Sequence, residues 1–346
     1  MTLSILDELG TIARSHRIPY HVLLELTYGC NLRCVMCYNP THVARDELTL
    51  AEYEDLFDQL ARAGTVQLTL TGGEVLARRD FWDIARAARE RHFALRIFTN
   101  GTRVTPDVAR RFADLVPLSI EVSLYGVDAE THDAVTAIPG SFVKTLDGIR
   151  NLTAAGAPVM VKTLLTQLNK HEVQATLDLV EELGVLFKGF DPVVFANHNG
   201  DESPLDLRVP ADEVARLLPF EHECREDPFS GDENPMCGAA HDFVSITPHG
   251  DVYPCLSMRI PMGNIRERVF DDIWSTPHAA AEIAGVREAT WSSLHVCSDC
   301  DARGICQRCP GLAHHEDGDV LGPSSTHCEL TFARVDHEKE VASLGS

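Results

Sequence analysis

The sequence lacks any long apolar run. No stretch approaches the roughly 20 residues that span a bilayer. The first residues, "MTLSILDELGTIARSHRIPY", read as a short amphipathic helix without the apolar core of a signal peptide. These absences predict a cytoplasmic protein with no membrane partner. Basic residues are also scarce: 30 Lys and Arg stand against 52 Asp and Glu, a formal net charge of −22. An acidic surface repels phosphates, which argues against a nucleic-acid partner. It is compatible with a basic peptide, although the plainer consequence is solubility. No internal repeat or low-complexity tract interrupts the chain. What the sequence does have is cysteine. Eleven thiols, an odd number, in a predicted cytoplasmic chain point to metal rather than to a disulfide framework. The 346 residues, 44% of them apolar, suffice for a large α/β domain and a smaller one.

From 20 to 190, strand-like runs alternate with helical patterns. The runs are "HVLLELT", "VQLTLT", "ALRIFT", "PLSIEVS", "VMVKTLL" and "VLFKGFD". In "TLAEYEDLFDQLARAG", Leu50, Tyr53, Leu56, Phe57 and Leu60 mark one helical face and Gly64 a stop. "HEVQATLDLVEELG" repeats the scheme with Val173, Leu177, Val180 and Leu183 before Gly184. Strand–helix units in series predict a parallel sheet, with strands apolar on both faces because both are covered. Periodicity alone leaves an open sheet and a partial barrel equally available. In either, ligands belong at the carboxyl ends of the strands. The character changes near 191. Residues 196–236 are rich in Asn, Asp, Glu, Pro and Ser, with one helix near 210–218. Beyond them lie a cysteine-rich segment, the hairpin "FVSITPHGDVYPC" turning at Pro248, His249 and Gly250, and a helical end from about 327. The expected organisation is an N-terminal helix (1–19), a core domain (20–191), a bridge (192–236) and a cysteine-rich domain (237–346).

The segment "ELTYGCNLRCVMCYN" places Cys30, Cys34 and Cys37 on a loop after the first strand, spaced C-x3-C-x2-C. A structural zinc takes four ligands, so a zinc knuckle would need a distant fourth. A cubane held by three thiolates instead leaves one iron open for another ligand. After strand two comes "TGGE", with Gly72, Gly73 and Glu74; strand three ends at Asn100; strand four ends at Ser123 in "EVSLYG". Two glycines allow close backbone approach, and a carboxylate binds an ammonium.

This set resembles the signature of the radical SAM superfamily. The resemblance implies that the open iron chelates S-adenosylmethionine and that electron transfer releases a 5′-deoxyadenosyl radical, which abstracts hydrogen from substrate. Cys30, Cys34 and Cys37 would hold the radical-generating [4Fe–4S] cluster. The backbone of Met36, at a position usually aromatic, would meet the adenine, and Gly72, Gly73 and Glu74 the methionine amino group. Asn100 would lie at the mouth as a site residue or as a plain turn residue, with Ser123 beside it. "SLYG…HDAVTAIPGSF" resembles the matching segment of peptide-modifying members, many of which have Arg where this chain has Thr136. Lys162 on strand five is the candidate cation for the cosubstrate carboxylate; its alternative is a lysine reaching for solvent. Asp191 is left unassigned. The implied fold is a partial (β/α)6 barrel of parallel strands followed by a cysteine-rich domain.

Eight further cysteines follow. Two C-x2-C pairs suggest a zinc ribbon, but the five residues between them are too few for two knuckles to fold back on each other. "CGAAHDFVSITPHGDVYPC" and "MGNIRERVFDDIW" resemble the SPASM extension of radical SAM enzymes, which carries two auxiliary [4Fe–4S] clusters. The resemblance assigns Cys237, Cys255 and Cys309 to one and Cys297, Cys300, Cys306 and Cys328 to the other. With the radical cluster, three are expected. Two residues, Gln307 and Arg308, precede Cys309 where the family pattern usually has three. Cys224 is either a further ligand or a spare thiol. His241, His249, His314 and His315 could bind metal or simply be exposed.

The expected activity is oxidative modification, above all crosslinking, of a ribosomally made peptide. Oxidative decarboxylation of a small molecule or haem-pathway intermediate is the alternative, and a non-catalytic metal-binding module the alternative of another class. Auxiliary clusters suit a reaction that must shed an electron from a substrate radical. The first motif begins at residue 30, so peptide recognition is expected from a separate partner protein, and electrons from a donor such as flavodoxin or ferredoxin. No general base is legible.

Overall fold

The computed structural model describes residues 5–218, 233 and 235–344. They divide into two compact units. One comprises residues 21–209 and 246–251; the other comprises the chain up to residue 20, residues 210–245, and 252 onward. Helix α1 (Ile5–His16) belongs to the second.

In the first unit, strands and helices alternate: β1 (His21–Thr27), α2 (Leu50–Arg62), β2 (Gln67–Gly72), α3 (Phe81–Glu90), β3 (Ala94–Thr99), α4 (Pro106–Asp114), β4 (Ser119–Ser123), α5 (Ala129–Thr136) and α6 (Ser141–Ala154), β5 (Val159–Leu164), α7 (Val173–Leu183) and β6 (Leu186–Asp191). The sheet order is β6-β5-β4-β3-β2-β1, parallel throughout. Each crossover therefore joins immediate neighbours. Right-handed crossovers of that kind place every helix on one face. The other face is left to line an interior, and β1 is not paired with β6, so the barrel is partial. Strand order thus decides what periodicity could not.

Helix α2 begins with a capping box: the Thr49 hydroxyl accepts from the Glu52 amide, and the Glu52 carboxylate accepts from the Thr49 amide at 2.7 Å. It buries Tyr53, Leu56, Phe57 and Leu60, as its pattern predicts; each contributes about 1.5–3 kcal/mol. The predicted face of α7 is only half realised. Val180 is buried but Leu177 is exposed, and the last strand is likewise not covered on both faces, with Leu186 67% exposed. The reason is position: β6 is the sheet edge, so α7 has no further strand to cover.

The second unit holds α8 (Ala211–Leu217), most of β7 (Phe243–Ile246) and β8 (Asp251–Tyr253), β9 (Gly263–Asn264), α9 (Phe270–Ser275), α10 (Ala280–Glu288), α11 (Pro310–Glu316) and α12 (Ser325–Leu344). The predicted hairpin is closed by the Thr247 amide donating to Asp251 O at 2.9 Å. Arg14 ties α1 into this unit through Asp242 at 3.2 Å. A short 3-10 turn at 296–299 carries Cys297, and another at 303–305 separates Cys300 from Cys306.

Candidate metal centres

The Cys30 loop leaves the carboxyl end of β1 and is braced from several sides. Gly73 N donates to Thr27 O at 2.6 Å and Glu74 N to Gly29 O at 2.9 Å. Here the two glycines have a role that the sequence could not specify. A Cβ on Gly72 would lie 2.3 Å from Thr27 O, and one on Gly73 would lie 2.4 Å from Gly29 O. The close approach they permit is to the cysteine loop itself. Arg33 N and Val35 N donate to Thr136 O and Val135 O, both at 3.0 Å. Asn197 Nδ2 donates to Cys37 O at 3.0 Å and to Asn39 O at 2.8 Å. Glu47 accepts from Thr27 Oγ1 and Tyr28 N, and Arg78 donates to Leu26 O at 2.6 Å. Sequence reading missed Asn197, Glu47 and Arg78, because each acts through the backbone of a distant segment.

Glu74 is buried and its carboxylate is already occupied. Oε1 accepts from Leu76 N and Thr99 Oγ1, and Oε2 accepts from Asn100 N at 2.7 Å. Burial raises its pKa, and these hydrogen bonds pull in the opposite direction. The structure thus joins Glu74 to Asn100, whose side chain bonds Asn31 in the cysteine loop at 3.2 Å. Met36 packs its side chain with Val135 and Val194, against Cys34 and Tyr125. Near Ser123, the Tyr125 phenol is pushed up by burial and then by the charge of Cys34. Tyr125 and Tyr38, the latter raised by burial and then by the charges of Glu25 and Cys37, are aromatic neighbours of the thiols that sequence reading did not single out.

Lys162 pairs in register with Ser123 on the adjacent strand. Its ammonium lies 3.1 Å from the Phe98 ring centroid and 3.9 Å from the fully buried Glu121 carboxylate. Glu121 also accepts from Lys188 at 2.7 Å and faces Arg96 at 3.9 Å. Desolvation pushes Lys162 down to about 7, partly offset by Glu121. The lysine that stood out in the sequence is therefore one corner of a charged cluster on the interior face.

The described thiols fall into three sets by mutual influence. Cys34 is raised by burial and then by Cys37 and Cys30; Cys37 is raised to about 11 by burial. Cys237 is raised to about 12 by burial, with Cys255 and Cys309 adding to it. Ser257 Oγ lies 3.2 Å from Cys255 Sγ and 3.7 Å from Cys309 Sγ. Cys328 is raised by burial and then by Cys306, Cys297 and Cys300, and these four line one pocket. Cys224 lies outside the described residues. Among those, no three His, Cys, Asp or Glu side chains are set to hold a single metal ion. A donor set of sulfur alone, in groups of three, three and four, fits iron–sulfur clusters, where each thiolate binds its own iron corner. Of the histidines, His241 is buried and depressed to about 4 by desolvation, and His249 bonds Arg45 O at 2.9 Å.

Two family models match the chain. The radical SAM superfamily model matches residues 24–180, and an iron–sulfur cluster-binding domain, SPASM, matches 237–301. The chain is 30% identical to the AdoMet-dependent heme synthase of Methanosarcina barkeri, covering 88% of this chain and 94% of that protein. It is 29% identical to the mycofactocin maturase MftC of Mycobacterium tuberculosis, over 84% of this chain and 77% of that one. It is 26% identical to the PqqA peptide cyclase of Granulibacter bethesdensis, over 94% and 91%. Among solved structures, Streptococcus suis SuiB bound to its precursor peptide SuiA superposes with a TM-score of 0.70 at 15% identity, over 94% of this chain and 80% of that one. With its three-thiol loop at the carboxyl end of β1 and its sulfur-rich second unit, the chain belongs to the radical SAM superfamily as an enzyme with a SPASM domain, using S-adenosylmethionine and [4Fe–4S] clusters.

Proposed function

We propose that this enzyme oxidatively modifies a ribosomally synthesised peptide, with crosslinking the favoured outcome. The observation that carries the reading is the pairing of a three-thiol loop, braced by Gly73 and Glu74, with seven further described thiols in two sets. When bound, the clusters and S-adenosylmethionine supply reductive cleavage to a 5′-deoxyadenosyl radical and a sink for the electron that substrate oxidation releases. The chain's own residues hold and orient. Cys30, Cys34 and Cys37 would ligate the radical-generating cluster. Gly72, Gly73, Glu74, the Met36 backbone, Asn100 and Ser123 would shape the cosubstrate site, and Lys162 would offer a cation to its carboxylate. Cys237, Cys255 and Cys309 would hold one auxiliary cluster and Cys297, Cys300, Cys306 and Cys328 the other. Names among the relatives that specify a peptide cyclase, and a similar fold holding a precursor peptide, support the substrate class. A separate recognition protein and a flavodoxin or ferredoxin donor complete the proposal, with the cytoplasm as its place.

The 30% identity to a heme synthase favours one second reading, oxidative decarboxylation of a haem-pathway intermediate. Anaerobically purified enzyme separates the two. Mass spectrometry of co-purified and reacted material should find a short peptide losing hydrogen in pairs. A tetrapyrrole losing carbon dioxide would overturn the peptide assignment.

A further inference from the structure

Arg308 is buried, 6% exposed, in the most sulfur-rich part of the chain. Its Nε donates to Gly322 O at 2.8 Å and its Nη2 to Val320 O at 2.7 Å, with a second Nη2 contact to Gly322 O. Nη1 lies 3.2 Å from Met236 Sδ. The side chain lines the same pocket as Cys297, Cys300, Cys306 and Cys328, so its charge faces their sulfurs. Every one of these partners is a carbonyl or a sulfur. Among the described residues no carboxylate is paired with it. A guanidinium stays charged at any working pH, and a buried charge without an opposite charge is strongly unfavourable. The fold has nevertheless aimed this one at the pocket lined by Cys297, Cys300, Cys306 and Cys328.

We infer that Arg308 is the counter-cation of the four-cysteine cluster and holds its reduction potential up. The inference rests on the reading that these four cysteines hold a cluster. Four thiolates and a cubane carry net negative charge, which grows by one on reduction. A fixed cation in the lining of that pocket therefore favours the reduced form, the form an electron acceptor must reach. The two carbonyls fix the guanidinium plane, so the charge does not relax away. Arg308 acts on the cluster through its fixed charge and is a tuning residue that does not touch substrate.

The test uses the full-length, anaerobically reconstituted chain carrying Cys30, Cys34 and Cys37 as alanine, so that auxiliary signals are read alone. Potentiometric titration followed by electron paramagnetic resonance compares native Arg308 with Arg308→Met and Arg308→Lys. In the methionine variant the equilibrium for one-electron reduction of the four-cysteine cluster should fall about tenfold, a shift of about 59 mV to lower potential. The lysine variant should fall less. An unchanged potential in Arg308→Met overturns the inference while leaving the cluster assignment intact. If Arg308→Met fails to assemble that cluster, the lysine variant decides. Native iron content there supports the counter-charge, and loss of the cluster despite the retained charge overturns it. Absence of the cluster with native Arg308 would instead overturn the underlying reading.

Discussion

The Glu74 amide donates to the Gly29 carbonyl at 2.9 Å, so the loop after β2 is bonded directly to the residue before the first cysteine. One strand end holds the neighbouring strand's cysteine loop in place. The motif that reads in sequence as a ligand cradle is also a clamp.

That clamp leaves no room at Gly73. A methyl group there would meet Gly29 O at 2.4 Å and Tyr28 O at 2.7 Å, both backbone atoms that cannot swing aside. Gly73→Ala should displace the Cys30 loop and abolish assembly of its cluster. Iron per chain should drop from about twelve to about eight if three cubanes are present, and 5′-deoxyadenosine formation should cease. Gly285→Ala is the control, since nothing lies within 4 Å of its added Cβ; in helix α10 it should gain up to about 1 kcal/mol. Full iron content in Gly73→Ala would refute the clamp.

Glu74 should tolerate no neutral isostere. Its two oxygens accept from Leu76 N, Thr99 Oγ1 and Asn100 N. In Glu74→Gln one oxygen becomes an amide donor, and either flip sets it against an existing donor. A buried group left without its partner costs about 1–3 kcal/mol. The thermal midpoint should fall, and cleavage of S-adenosylmethionine should fall with it. A variant with native stability would show that these hydrogen bonds are dispensable.

The fold was legible because burial writes itself into the strands. "HVLLELT" and "ALRIFT" coincide with β1 and β3 residue for residue, and the other four runs are displaced only at their ends. The three-thiol loop was legible for a similar reason, since its cysteines are close in sequence, whereas the two later sets came from the family resemblance, which groups Cys309 with distant Cys237 and Cys255. What could not be read was anything depending on register between distant strands. Nothing in "SIEVS" or "VMVKTL" tells that Glu121 and Lys162 face each other, because that follows from Ser123 lying opposite Lys162. The clamping role of the glycines was hidden likewise, since the atom they avoid lies some forty residues earlier. Arg308 read only as one residue of a shortened spacing, and its meaning comes from carbonyls beyond it in the chain.

Lys162 gives stability a pH dependence whose sign follows from its surroundings. Folded, it titrates near 7; unfolded, near the ordinary lysine value of about 10.4. Below 7 both states hold the proton. Between the two values the unfolded chain binds more protons, so stability rises with pH across that window, by at most about 1.4 kcal/mol per unit. Lys162→Met should lose this rise. Thermal midpoints at about pH 6.5 and about pH 9 should diverge in the native chain's favour at the higher pH. Parallel pH profiles would remove Lys162 as their source.

Glu121 should be the costliest single charge to remove from the interior face. It is fully buried, accepts from Lys188 at 2.7 Å, and has Lys162 and Arg96 each at 3.9 Å. Glu121→Gln keeps the shape, leaves Lys188 and Arg96 around a neutral amide, and removes the charge that holds the Lys162 ammonium protonated. Loss of one partner from such a buried arrangement costs about 3–5 kcal/mol, reduced here because the cations are partly exposed. Lys188→Met removes only one of three and should cost less, since Lys162 and Arg96 remain to balance the carboxylate. The double variant Glu121→Gln with Lys188→Met should recover part of the loss, because it removes the closest of the stranded charges. Urea unfolding of the three variants checks this ordering. Additive losses in the double variant would show that Glu121 and Lys188 are not energetically coupled, whatever their separation.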